Sequence, residues 1–212
     1  MARTVLSKKR LTEMKKVNIG RIIIFCEGKT EKYYFDYFAE IIRKSKYTKV
    51  EVVLETAGGN AQTVLNCANA YVLKEENNRA LSTYCKYLAY DCDSPPDIQA
   101  VVLDSTGYEL LISNYLFETW LLMHFEEVDV KLTKRQTYVM LSEHLHNSYR
   151  KGRRGITREI IKTGEIEKAI NNARRLEESY ESEGKSMFSD IKKMNPYTSV
   201  YKLVEQFMAE IS

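Results

Sequence analysis

An unbroken apolar run, Ile22-Ile23-Ile24-Phe25-Cys26, stops at Glu27-Gly28, the pattern of a strand buried on both faces and ended by a turn. Beyond it Tyr34, Phe35, Phe38, Ile41 and Ile42 recur at helical spacing, with Thr30 placed to cap the first turn and Gly28 free to bend the chain off the strand. The alternation then repeats. Val50 to Thr56 reads as a strand, Gly58-Gly59-Asn60 as a turn and Ala61 to Leu73 as an amphipathic helix. A third apolar run, Tyr87 to Tyr90, ends at Asp91-Cys92-Asp93. Tyr108 to Ile112 reads as a fourth strand, leading through Ser113-Asn114 into a buried helix from Tyr115 to Phe125. Strands alternating with helices predict an α/β fold with a mostly parallel sheet flanked by helices.

From about Lys131 the strand signals fade, and the chain reads as helices jointed at Gly152, Gly155, Gly164 and Gly184. Asn195-Pro196-Tyr197-Thr198 then restarts the pattern, and Val200, Leu203, Val204 and Phe207 form one apolar stripe of a final helix. The expected organisation is a basic flexible tail (1–19), an α/β core (20–130), a helical appendage (131–194) and a C-terminal helix docked on the core (195–212).

A chain of 212 residues can bury a core without a disulfide scaffold. Cys26, Cys67, Cys85 and Cys92 have neither CxxC nor Cys/His ligand spacing, which fits reduced thiols rather than disulfides or a zinc site. With neither a signal-peptide core nor a membrane-length apolar stretch, the expectation is a soluble cytoplasmic protein. The 32 basic and 29 acidic residues nearly cancel to +3, so distribution matters more than the total. Basic density gathers in the tail and in Tyr149-Arg150-Lys151-Gly152-Arg153-Arg154, as phosphate-attracting patches or as solvated surface.

The candidate chemistry lies at the strand ends. Carboxylates are expensive to hold beside a core, yet Glu27 and the Asp91/Asp93 pair close two apolar runs, where open parallel sheets bind ligands. Asp91 and Asp93 share one side of an extended segment and can reach one ion. Such hard oxygen donors suit Mg²⁺ or Mn²⁺, and Glu27 can join the metal shell or act as general acid or base. The bland alternative is a solvated turn before Pro95-Pro96. Glu31 sits in the first turn of a helix, where the dipole alone explains an acid, and Lys29 is a phosphate contact or an ordinary exposed lysine. Glu118, among apolar neighbours, needs a partner in the metal site or a structural hydrogen bond to a neighbouring strand. Trp120 reads as core and His124 as a structural histidine.

Cys26-Glu27-Gly28-Lys29-Thr30-Glu31 with Tyr34-Phe35, then Asp91-Cys92-Asp93, then Ser113-Asn114 with Phe117 to Phe125, then Asn195 to Val200 occur in an order that resembles the RloB family of prokaryotic defence-associated proteins. That family belongs to the Toprim-fold superfamily, and the resemblance spans roughly residues 18 to 207. It implies a Toprim-like nuclease core in which Glu27, Asp91 and Asp93 hold Mg²⁺ or Mn²⁺ and Glu118 supports hydrolysis of phosphodiesters in RNA or DNA. Lys29, Arg150, Lys151, Arg153 and Arg154 are the candidates for gripping the nucleic acid. It further implies a role in anti-phage abortive infection beside an AAA-type ATPase, which would supply the P-loop this chain lacks. A homo-oligomer is compatible with all of this.

Cys92 stands where relatives commonly carry arginine, Ser94-Pro95-Pro96 is unusual after the pair, and Tyr115-Leu116 replaces the usual Pro-Cys. These departures keep the metal ligands and alter the substrate contacts. A phosphatase of the haloacid-dehalogenase type fits less well, because the acidic pair follows a third strand and Pro95 stands where threonine or valine is usual. The alternative outside enzymology is a regulatory module that binds an ATPase or a nucleic acid and keeps the acidic site for structure.

Overall fold

The computed structural model describes residues 19–43, 48–54, 60–92 and 98–211. The basic tail to residue 18, the Gly58-Gly59 turn, Asp93 and Ser94-Pro95-Pro96 lie outside these residues. Five strands form one sheet: β1 (Arg21–Cys26), β2 (Lys49–Leu54), β3 (Tyr84–Asp91), β4 (Glu109–Asn114) and β5 (Tyr197–Thr198). Their spatial order is β2-β1-β3-β4-β5; the first four are parallel and β5 runs antiparallel to β4.

Helix α1 (Lys29–Ile42) follows β1, and α2 (Ala61–Leu73) and α3 (Glu75–Ala80) follow β2. Helix α4 (Ile98–Asp104) precedes β4, and α5 (Phe117–Leu122) follows it. Then come α6 (Lys134–Glu143), α7 (Arg154–Thr163), α8 (Ile166–Ser182), α9 (Met187–Asp190) and, after β5, α10 (Val200–Ile211). Helix α2 begins where its pattern says, because the Asn60 side chain accepts the Thr63 N–H at 3.1 Å as an N-cap.

The alternation along β1 divides the core in two. Ile22, Ile24 and Cys26 join Tyr87 and Ala89 against α1, α5 and α10, where Tyr34, Phe38, Trp120 and Phe207 are buried. Ile23 and Phe25 face the other way with Leu88 and Tyr90, against Val64 and Leu65 of α2 and Val102 of α4. Each fully buried side chain of this size contributes roughly 1.5–3 kcal/mol, so the two-sided burial fixes the central position of β1 and β3. Ile160, Ala169, Ile170, Ala173 and Leu176 of α7 and α8 share the first of these cores. Glu177 ties α8 to the sheet edge and to α10: it accepts the Tyr197 hydroxyl at 2.7 Å, the Tyr201 hydroxyl, and the Lys202 ammonium at 2.9 Å.

The junction after β4 differs most from the pattern. Ser113 and Asn114 end β4 rather than opening a helix, because β5 recruits them. Ser113 and Thr198 share a hydroxyl–hydroxyl bond at 3.2 Å, and the Asn114 amide donates to the Ile191 and Met194 carbonyls at 2.7 Å each. The helix that follows is correspondingly short, Phe117–Leu122. His124 is a satisfied structural histidine. Its Nδ1 donates to the Trp120 carbonyl at 3.0 Å, which leaves Nε2 to accept the Tyr34 hydroxyl at 3.1 Å. Among the described residues no helix is long and apolar enough to cross a membrane.

Candidate metal centre at the carboxyl edge of the sheet

Strand β3 outruns its neighbour: Cys26 pairs with Ala89, so Asp91 projects beyond the last residue of β1. The Glu27 N–H continues the ladder to the Ala89 carbonyl at 3.0 Å, and the Asp91 N–H donates back to Glu27 Oε2 at 3.2 Å. Glu27 and Asp91 therefore meet as the two strand ends predict. Strand alternation turns Asp91 toward α1 and α5, while Cys92 packs against the opposite core, so position 92 does not face the carboxylates. The Phe117 N–H, at the start of α5, donates to Asp91 Oδ1 at 2.6 Å.

Two further carboxylates close on Asp91 from the flanking helices. Glu31 of α1 and Glu118 of α5 are 1% and 0% exposed, against 2% for Asp91. Oε2 of Glu31 and Oε2 of Glu118 are buried with no hydrogen-bond partner. Gly28 makes the room: a Cβ there would stand 2.5 Å from Glu31 Oε2, while its φ of −130° is open to any residue. Glycine is needed at this turn for space, not for backbone freedom. The partner of Glu118 comes from a loop rather than a strand, since the Tyr149 hydroxyl donates to Glu118 Oε1 at 2.7 Å.

The basic run does not lie wholly on the surface. Lys151 turns inward, with Nζ 3.3 Å from Asp91 Oδ2 and 3.8 Å from Glu118 Oε2. Around it the segment is strapped down, as the Gly152 N–H donates to Thr30 Oγ1 at 2.9 Å and the Tyr149 N–H to Ser142 Oγ at 2.8 Å. Gly152 makes this turn at φ +71°, in the left-handed region. Thr30 is thus a buried anchor inside α1, and Gly28 holds the N-cap position assigned to Thr30 from sequence. Arg154 pairs with Glu40 on α1, as does Arg158. Arg150, Arg153 and Lys29 are exposed, and Arg150, Arg153 and Arg154 line a cleft of about 580 Å³.

The electrostatics follow from crowding acids in a dry place. Burial first, then the Glu31 charge, raises the Asp91 carboxyl well above its ordinary range, although Lys151 pulls the other way. Burial likewise pushes Glu31 up to about 7 against the pull of Lys151. Burial works against the Lys151 ammonium, but Asp91, Glu118 and Glu31 outweigh it and keep the lysine charged. One ammonium thus serves three buried carboxylates, and the rim carboxylate of Glu27 adds a fourth acid.

This donor set fits a divalent hard cation. The groups are carboxylates, two buried oxygens accept no hydrogen bond, and a glycine cradle leaves one of them room. As the side chains stand, no group of three or more His, Cys, Asp or Glu among the described residues is arranged to hold a metal ion, and Asp93 lies outside those residues. Glu31 was not among the expected site residues, although a signal was present: with Tyr34, Phe35 and Phe38 it sits at i, i+3, i+4 and i+7, an acid on the apolar stripe of α1. Nothing in the pattern marks Lys151 as a neighbour of Glu31 or Tyr149 as the partner of Glu118, because they arrive through tertiary packing alone.

A mostly parallel α/β sheet carrying a carboxylate cluster beyond its strand ends defines the class of this protein. The chain belongs to the family of RloB-like proteins, whose family model matches residues 22–207. No curated protein and no solved structure matches it.

Proposed function

We propose that this chain is a Toprim-type nuclease that hydrolyses phosphodiester bonds in RNA or DNA with Mg²⁺ or Mn²⁺. It would act in the cytoplasm as an effector of anti-phage abortive infection with an AAA-type ATPase partner. The observation that supports this reading is the crowding of buried carboxyl groups at the sheet's carboxyl edge: Glu31, Asp91 and Glu118 surround one ammonium. Glu27, Asp91 and Asp93 are the metal holders expected from the family resemblance, and the geometry adds Glu31 and Glu118 as reserves of the same charge.

Such a cation, when bound, neutralises charge on the phosphate and activates water. The chain's own residues have separable tasks. Glu27, half-buried at the rim, receives the Asp91 N–H on its carboxylate and accepts or returns a proton as general base or acid. The Phe117 N–H and the Tyr149 hydroxyl orient Asp91 and Glu118. Arg150 and Arg153, exposed in the cleft, grip the nucleic-acid backbone.

Lys151 also favours a second reading, a regulatory module whose acidic cluster is balanced by an internal ion pair and does no chemistry. Cleavage of mixed RNA and DNA substrates with Mn²⁺, with and without the neighbouring ATPase, separates the two. The nuclease reading expects activity that is lost in Asp91→Ala and Glu27→Gln. Equal cleavage by these variants and the parent, or no divalent binding, sinks it.

A further inference from the structure

We infer that Lys151 is a built-in counter-cation that occupies the gap between Asp91 and Glu118 and must leave it when a divalent ion binds there. The inference rests on the metal reading above. Its geometry is independent of that reading. Asp91 Oδ1 is taken by the Phe117 N–H at 2.6 Å, and Glu118 Oε1 by the Tyr149 hydroxyl at 2.7 Å. The remaining oxygen of each carboxylate faces the same atom, Lys151 Nζ, at 3.3 Å and 3.8 Å. The oxygen that each carboxylate turns away from its hydrogen-bond donor is the one the ammonium now covers.

The exchange favours the metal on charge. A single positive charge stands against three buried carboxylates, whereas a divalent ion brings two to the same gap. The lysine can also leave cheaply. Its side chain is already 35% exposed, and its flexible four-carbon stem can swing outward while Tyr149 and Gly152 keep the strap on Glu118 and Thr30. The released ammonium then joins the solvent-facing basic run of Arg150, Arg153 and Arg154, so metal loading adds a cation on the side from which a phosphate approaches.

Calorimetric titration of Mn²⁺ into the full chain tests this. Lys151→Met should bind at least about tenfold more tightly than the parent, while Arg150→Met, which removes a neighbouring exposed charge, should stay within about threefold. Equal affinities in parent and Lys151→Met, or equal tightening in both variants, overturn the lysine proposal and leave the metal reading standing. Absence of binding to every protein overturns both. Amine acylation of the parent, read by peptide mass spectrometry, needs no variant: Lys151 should be labelled several-fold faster with saturating Mg²⁺ than with chelator. Unchanged labelling of Lys151 in metal-loaded protein overturns the displacement.

Discussion

The Asp91 N–H donates to Glu27 Oε2 at 3.2 Å, so the carboxylate that ends one strand is held by the backbone of the next. This bond makes a charge-neutral substitution informative. Glutamine keeps an oxygen for the Asp91 N–H, so Glu27→Gln should leave urea stability within about 1 kcal/mol of the parent. Metal-dependent cleavage should nevertheless fall by at least about a hundredfold, measured as initial rate on a labelled oligonucleotide.

Gly28 and Glu31 are coupled by space. A methyl group at position 28 would press on the Glu31 carboxylate at 2.5 Å, while the backbone there is not strained. Gly28→Ala is therefore expected to cost stability modestly, about 1 kcal/mol, yet to weaken Mn²⁺ binding about tenfold by displacing a buried carboxylate. Parallel denaturation and calorimetry distinguish that outcome from general destabilisation.

His124 sets a limit on acid stability. Burial lowers it from an ordinary 6.5 to about 4, and its hydrogen bonds to the Trp120 carbonyl and Tyr34 hydroxyl fit the neutral ring. Between these values the unfolded chain takes up a proton that the folded chain does not. The His124 contribution is thus full above about 6.5 and falls by on the order of 3 kcal/mol toward pH 4, while the raised Glu31 and Asp91 carboxyls work in the opposite direction over the same range. The stability difference between the parent and His124→Gln isolates the histidine: it should move against the parent as pH falls from 6.5 to 4, read from urea midpoints.

The arginines of the cleft should not behave alike. Arg150 and Arg153 are exposed, whereas Arg154 is paired with Glu40. Alanine at 150 or 153 is expected to weaken nucleic-acid binding and to reduce the slope of log affinity against log salt by about one each. Alanine at 154 should reduce it less. Filter binding at several salt concentrations reads both quantities.

The mostly parallel sheet and its buried strands were legible because β1 and β3 are buried on both faces, and such strands read as continuous apolar runs; the strand order came only from the structure. Strand β5 was not, since two residues carry no alternation and its partners Ser113 and Asn114 look like a helix start. At the site, the strand-end acids Glu27 and Asp91 stood out for their cost. Glu31 was masked by an adequate local explanation, the helix dipole. The basic run 150–154 misled in one member, because charge density along a chain does not say which lysine turns inward.

By itself the sequence determined that acids close two buried strands, since the periodicity of burial and the position of a carboxylate along it are local properties of the chain. Only the tertiary structure decided what balances those acids. Lys151 stands 60 residues from Asp91 along the chain and reaches it because Tyr149 and Gly152 dock on Glu118 and Thr30. Electrostatic balance in a buried site depends on distance through space, and no periodicity in the sequence encodes that.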